Sequence, residues 1–230
     1  MGVNKVKYLI VISFFIIIFM SVSITAMAHK PVDVSGPASR EMPIMIEDHQ
    51  ISWAAYTELS RVNEVDYYKF TAEKGEEIYS NLLIPYLERF KDFHPTIALI
   101  GPGLPLDYSV ENVNLAIKEG EGAIIKRYES NELEEFYEPF TQTRYYVKQS
   151  LIVNAPQTSE YFLAVFNEKE ETGKYVFAIG RKEVWKPGEI VKLPKTWWDV
   201  RMFMEQEKST YAITIGVGIV GLYLLSTLFR

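Results

Sequence analysis

The stretch EVDYYKFTAEKGEEIYSNLLIP, Glu64 to Pro85, reads as two successive strands. In its first half, Val65, Tyr67, Tyr68 and Phe70 are interleaved with polar Asp66, Lys69 and Thr71. In its second half, Ile78, Ser80, Leu82 and Ile84 recur at every other position and so share one face of an extended chain. The same grammar repeats outward from this segment. TIALIGPG is a short apolar run closed by Gly101-Pro102-Gly103. GAIIKRYE, TRYYVKQSLIVN, EYFLAVFN and GKYVFAIGR are rich in Tyr, Phe, Val and Ile, residues that suit a pleated, half-buried surface. Strands spaced by turn signals predict an all-β fold, a β-sandwich. WAAYTEL, Trp53 to Leu59, leaves a helical turn and an irregular strand both open, and NELEEFYEPF, Asn131 to Phe140, reads as an acidic, aromatic surface loop.

The two ends have a different character. Lys5 and Lys7 precede an apolar run from Tyr8 to Met20, and Ala26 and Ala28 stand where a signal peptidase reads small residues. Residues 1–28 therefore read as a signal peptide cut before His29; uncut, the run from Tyr8 to Ala28 is long enough to span a bilayer. Thr210 to Phe229 carries no charge and matches one membrane-spanning helix in length, with Arg230 behind it. Between 182 and 208, Pro187-Gly188 and Pro194 mark a linker with one short extended piece, and KTWWDVRMFMEQEK reads as a helix with Trp197, Val200 and Met204 on one face. That helix is expected beside the lipid headgroups, or else packed on the sandwich. The expected division is a signal at 1–28, a sandwich ectodomain at 29–181, a linker and juxtamembrane helix at 182–208, and a transmembrane anchor at 209–230. A chain so arranged is a single-pass protein of the cell membrane, its ectodomain outside the cytoplasm and its C-terminal helix in the lipid bilayer.

Absence of cysteine means that the ectodomain must hold by its core alone, and about 180 residues suffice for one. The net charge of −6 argues against nucleic acid as a partner.

The order of the strands resembles the bacterial pre-peptidase C-terminal domain. Asp66, Tyr68 and Phe70 stand where that family has an Asp-x-Tyr-x-Phe strand, and Gly75-Glu76 where it has a turn. Leu99 to Gly103 matches its strand ending in a Gly-Pro turn, and Tyr161, Val165, Gly173, Tyr175 and Phe177 match its closing pair. The resemblance covers Ile44 to Gly180 and implies a jelly-roll-like β-sandwich. It also implies an accessory module of a secreted or surface protein, of a kind that can bind calcium or a polymeric substrate without being catalytic.

Candidate chemistry is sparse. A mature chain starting at His29 would offer an amine and an imidazole to copper, with His49 and His94 as the remaining nitrogen ligands. The alternative is that His29 merely follows the cut. Calcium would need oxygens from Asp66, Asp107 and Glu111, or from Glu132, Glu134 and Glu135. No nucleophile elbow, zinc-protease helix or phosphate loop occurs, so no enzymatic activity is expected. Tyr67, Tyr137, Tyr145 and Tyr146 are candidates for an outward aromatic face that could hold a sugar or a polymer. The sequence thus leads to a membrane-anchored binding or scaffolding module, with a protein partner in the membrane or cell envelope. Its alternatives are a copper-binding surface protein and a carbohydrate- or polymer-binding module.

Overall fold

A computed structural model describes residues 29–36, 38–107, 115–130, 134–169 and 171–228. The signal segment 1–28, Glu111, Glu132 and Arg230 lie outside the described residues. The chain divides into two compact units, one of 28–137 with 144–190 and one of 138–143 with 191–230.

The first unit is a β-sandwich. One sheet takes the order β1 (Lys30–Pro31), β3 (Trp53–Leu59), β11 (Gly173–Ile179), β5 (Glu77–Pro85), β9 (Thr143–Asn154) and β8 (Glu134–Glu138). The other takes the order β2 (Ile44–Met45), β4 (Val65–Ala72), β10 (Ser159–Phe166), β6 (Thr96–Pro102) and β7 (Glu121–Lys126). The chain changes sheet at every connection except β6–β7 and β8–β9, the weave expected of a jelly-roll-like sandwich. WAAYTEL is a strand between β1 and β11, and EEFYE of the expected acidic loop forms β8. That correction has a simple cause: acidic side chains are tolerated on a sheet edge, where they remain in water.

Alternation along each strand sorts its side chains. Tyr68, Phe70, Ile97, Leu99, Tyr161, Leu163 and Val165 of one sheet meet Ile78, Leu82, Ile84, Tyr175, Phe177 and Ile179 of the other in a single inner core. Tyr68 stacks on Phe177 with ring centroids 4.1 Å apart. The odd positions of β4 look the other way. Tyr67 joins Ala98, Ile100, Ala123, Phe162, Ala164 and Phe166 in a second cluster, covered by Leu115 and Ile117. The sheet β2-β4-β10-β6-β7 is therefore buried on both faces along β10 and β6, which explains their unbroken apolar runs. This second layer of burial gives a chain without disulfides a larger core than a one-sided sheet would have.

Period two also carries Asp66 inward with Tyr68 and Phe70. Its carboxylate accepts a hydrogen bond of 2.5 Å from the Tyr175 hydroxyl, which lies 2.9 Å from the hydroxyl of Tyr68. Asp66 is thus a buried acceptor at the end of a chain of two tyrosine hydroxyls.

The second unit joins a strand turn to two helices. The Glu138 carboxylate accepts from the amides of Phe140 at 2.8 Å and Thr141 at 2.6 Å, which closes the β8–β9 turn. After a single helical turn, α1 (Pro187–Ile190), come α2 (Leu193–Phe203) and α3 (Glu207–Leu228). The linker therefore contains a helical turn in place of the extended piece, and the helix expected through Lys208 stops at Phe203. The stop is a Schellman cap: Glu205 takes φ 57°, its amide donates to the Met202 carbonyl, and the Gln206 amide donates to the Arg201 carbonyl. Arg201, 2% exposed, ties the unit together. It donates to the Thr141 carbonyl at 2.7 Å, to Ser209 at 2.6 Å and to Thr210 at 2.9 Å, with its guanidinium 4.9 Å from the Trp197 ring. Val200 and Met204, on the expected apolar face of this helix, are buried. Beyond this junction, α3 is about 33 Å long at 1.5 Å per residue and exposes Ile215, Val217, Ile219, Leu222, Tyr223 and Leu225 around its circumference. It is the one described helix long and apolar enough to cross a membrane, over Glu207–Ser226.

Burial pushes the Asp66 carboxyl up to about 6, against the opposing pull of the Tyr175 hydrogen bond. The unfolded carboxyl titrates near ~3.9, so the folded chain prefers the protonated form. The stabilisation is complete below about pH 4 and is lost as pH rises through about 6. Urea denaturation of the wild type is expected to show a gain of roughly 2–3 kcal/mol from this group between pH 7 and pH 4. Asp66→Asn, neutral throughout, should lack that component; an identical pH profile in the two proteins would refute the assignment.

Candidate functional site

The site grows from an irregularity in β9. Asn81 of β5 pairs with Ser150, but Leu83 pairs with Val147, so Leu82 faces both Lys148 and Gln149. This is a β-bulge, and it changes which residues of β9 face the core: Tyr146 before it, Leu151 and Val153 after it. At the bulge, consecutive polar residues are both buried, Lys148 at 7% and Gln149 at 4% exposure.

Each is provided with partners by neighbouring loops. The Lys148 ammonium donates to the Lys91 carbonyl at 2.9 Å and lies 4.8 Å from the Tyr128 ring and 5.5 Å from that of Tyr146. Aromatic faces stabilise a cation that has lost much of its water. Gln149 donates through Nε2 to the carbonyls of Pro95 at 2.7 Å and Lys126 at 3.3 Å, bridging the two sheets, while its Oε1 is buried without a hydrogen bond. His94 stacks on Tyr128 at 4.9 Å, with its buried Nδ1 also lacking a hydrogen bond. Burial, followed by the positive charges of Lys148 and Lys169, holds the His94 imidazolium below its usual range, despite Asp92 and Glu171. Burial likewise pushes the Lys148 ammonium down to about 8, opposed by Asp92.

An aromatic ledge lies beside this cluster on the same sheet. Tyr86 packs on Tyr146 at 4.6 Å, and Phe136 of β8 lies 6.2 Å from Tyr145. A hydrogen bond to the Glu135 carboxylate, reinforced by its charge, holds the Tyr86 phenol above its usual range. Tyr86, Phe136 and Tyr137 are the solvent-exposed aromatics of the ledge, at 39%, 39% and 53%. Of the four tyrosines expected outside, Tyr137 alone is exposed; Tyr67, Tyr145 and Tyr146 are buried. Tyr67 is covered by the 115–117 segment, whose Ala116 amide donates to its hydroxyl, and Tyr146 faces the core ahead of the bulge.

The three histidines are not brought together. His29 is hydrogen-bonded through Nδ1 to Ser52. His49 is buried against Phe70 with its Nε2 3.8 Å from Glu76, so both belong to the surroundings of the Asp48–Trp53 segment. His94 precedes Thr96, which pairs with Phe166, whereas Phe70 under His49 pairs with Tyr161. Five residues of β10 separate those two levels, about 17 Å along the strand. The expected calcium ligands are dispersed as well. Asp66 is on β4, while Asp107 is bonded to Ala123 of β7, three strand spacings or about 14 Å across the sheet. Glu134 and Glu135 lie on β8. No cluster of three acidic or histidine side chains suited to a metal occurs among the described residues.

Sequence reasoning missed Lys148, Gln149, Tyr86 and Phe136. A signal for the first two was present: Lys-Gln is a polar pair inside TRYYVKQSLIVN, where strict alternation allows one inward residue at a time.

No family model matches the chain, and no curated protein sequence matches it. Among solved structures, it is similar to the pre-peptidase C-terminal domain of collagenase from Bacillus anthracis, at 11% identity and a TM-score of 0.31, over 58% of this chain and 90% of that one. It is also similar to the copper-binding secreted protein MopE of Methylococcus capsulatus, at 8% identity and a TM-score of 0.29, over 67% and 92% of the two chains. A third similar structure is CorA, a surface-associated copper-binding protein of Methylomicrobium album, at 9% identity and a TM-score of 0.28, over 68% and 99%.

Because the Lys148 ammonium titrates below the unfolded value, the unfolded chain binds more protons between the two, and this group's contribution to stability rises with pH through that window. Wild-type stability is therefore expected to rise relative to Lys148→Met from pH 8 to pH 10 in parallel urea titrations. Parallel curves for the two proteins would count against the buried-ammonium assignment.

Proposed function

We propose that the chain is a membrane-tethered, non-enzymatic module whose sandwich binds or scaffolds a protein partner outside the cytoplasm, as a subunit of a membrane assembly. The observation that carries this reading is α3, which exposes an apolar surface on every side and therefore requires lipid around it. Arg201 supports it by fixing the first turn of that helix to α2. The aromatic ledge offers the sandwich a binding surface with an apolar body and polar tips.

A second reading concerns copper. The buried Nε2 of His49 lacks a hydrogen bond, and His29 flanks the same segment. A copper site in this chain would rest on His29 and His49, with His94 excluded by its distance along the sandwich. Copper titration of a chain starting at His29 tests it: retention of one ion, lost in His49→Phe, supports the site, and equal uptake by both proteins removes it.

The anchor is tested by alkaline extraction of membranes. The wild-type chain is expected to stay with the lipid fraction. Val217→Arg combined with Ile219→Arg, each costing about 2.5–3.5 kcal/mol at the centre of a spanning helix, should release it. Extraction of the wild type would overturn the reading. The chain has no cysteine, so Glu73→Cys gives a single thiol on the sandwich; labelling by an impermeant maleimide in intact cells is expected, and protection until lysis would reverse the orientation.

A further inference from the structure

A sheet exposes backbone hydrogen-bonding groups only at its edges, and this sandwich has four. Two end in strands too short to template a long pairing: β1 has two residues, one of them Pro31, and β2 has two. The third, β7, is covered by its own chain. Ala123 donates to the Pro105 carbonyl at 2.9 Å and accepts from the Asp107 amide at 3.2 Å. The crossing is so close that a Cβ on Gly122 would fall 1.9 Å from the Leu104 carbonyl oxygen. The fourth, β8, is five residues long, and Glu134, Glu135, Phe136 and Tyr137 are all exposed.

We propose that β8 is a docking edge that accepts an extended, basic segment of a partner protein as an added strand. The proposal rests on the membrane-tethered binding reading and names the chemistry of its partner. Main-chain bonds along β8 would supply affinity, and its side chains would supply the choice of partner. Every charged residue of β8 is a glutamate: Glu134, Glu135 and Glu138. Glu138 is engaged by its own turn and Glu135 by Tyr86, which leaves Glu134 and the outer side of Glu135 toward an incoming chain. Glu88 adds negative charge near Tyr86, and Arg144 of β9 is the cation facing it. Phe136 and Tyr137 come next along the strand, so a complementary segment carries two adjacent cationic residues beside two adjacent apolar ones. A second copy of this chain is disfavoured on the same ground, because it would set carboxylates against carboxylates.

The test uses the full-length chain in phosphatidylcholine nanodiscs, whose neutral lipid does not attract a basic probe. The probe is a fluorescent peptide repeating Lys-Lys-Val-Val, which matches β8 in either direction. Binding is read by anisotropy, and its location by hydrogen exchange of the amides at 134–138. Saturable binding with slowed exchange at 134–138 is expected, weakened at least tenfold by Glu134→Lys with Glu135→Lys. The pair Glu58→Lys and Glu183→Lys makes the same change in charge on exposed positions elsewhere, and should leave binding unchanged. No binding, binding without protection of β8, or equal loss in both double variants would overturn the proposal. Protection of 134–138 in self-associated chains without peptide would also overturn it and make the occupant a second copy. Incorporation into the nanodisc reads the anchor separately, so failure of the tether and failure of the edge are distinguishable.

Discussion

Leu82 facing two residues of β9 is the constraint on which this architecture turns. A strand of twelve residues cannot keep strict alternation and also present Tyr146, Leu151 and Val153 to one core. The extra residue resolves the conflict, and it does so by driving Lys148 and Gln149 into protein. Once inside, both need partners. The carbonyls of Lys91, Pro95 and Lys126 provide them, and the rings of Tyr128 and Tyr146 shield the ammonium. Local irregularity in one strand thereby organises loops from both sheets.

Two buried polar groups in the sandwich follow different rules. Asp66 accepts from the neutral Tyr175 hydroxyl, which hydrogen-bonds its charge without cancelling it. Lys148 has a carbonyl and aromatic faces, which do the same for a cation. Neither is a buried ion pair, so each carries its own desolvation cost. That cost is offset by burial on both faces of the sheet containing β10 and β6, where Tyr67, Phe162 and Phe166 form a second apolar layer.

The helical unit meets a different solvent problem. Its helix exposes apolar side chains around its circumference, yet the chain entering it is still hydrogen-bonded protein. Arg201 bridges that change through the Thr141 carbonyl and the hydroxyls of Ser209 and Thr210, and the left-handed Glu205 turns the chain between α2 and α3. The guanidinium of Arg201 is thus held by hydrogen bonds before the apolar stretch begins.

The sequence by itself determined the strands, the sandwich and the apolar helix. Ile78, Ser80, Leu82 and Ile84 do share a buried face, and Thr210 to Leu228 is a single helix running through the expected anchor. These features are local: alternation and apolar length are written in consecutive residues. Whether Tyr67 would be covered, which end of the sandwich His94 would occupy, and that β8 would be an edge strand with exposed side chains were decided by tertiary structure. Each depends on what another part of the chain does. The 115–117 segment folds over Tyr67, the register along β10 separates His49 from His94, and the chain at 105–107 bonds to β7, whereas no described segment is bonded to the outer side of β8. A strand's periodicity states that it has two faces and two edges; only the packing of distant segments settles which of them meet water.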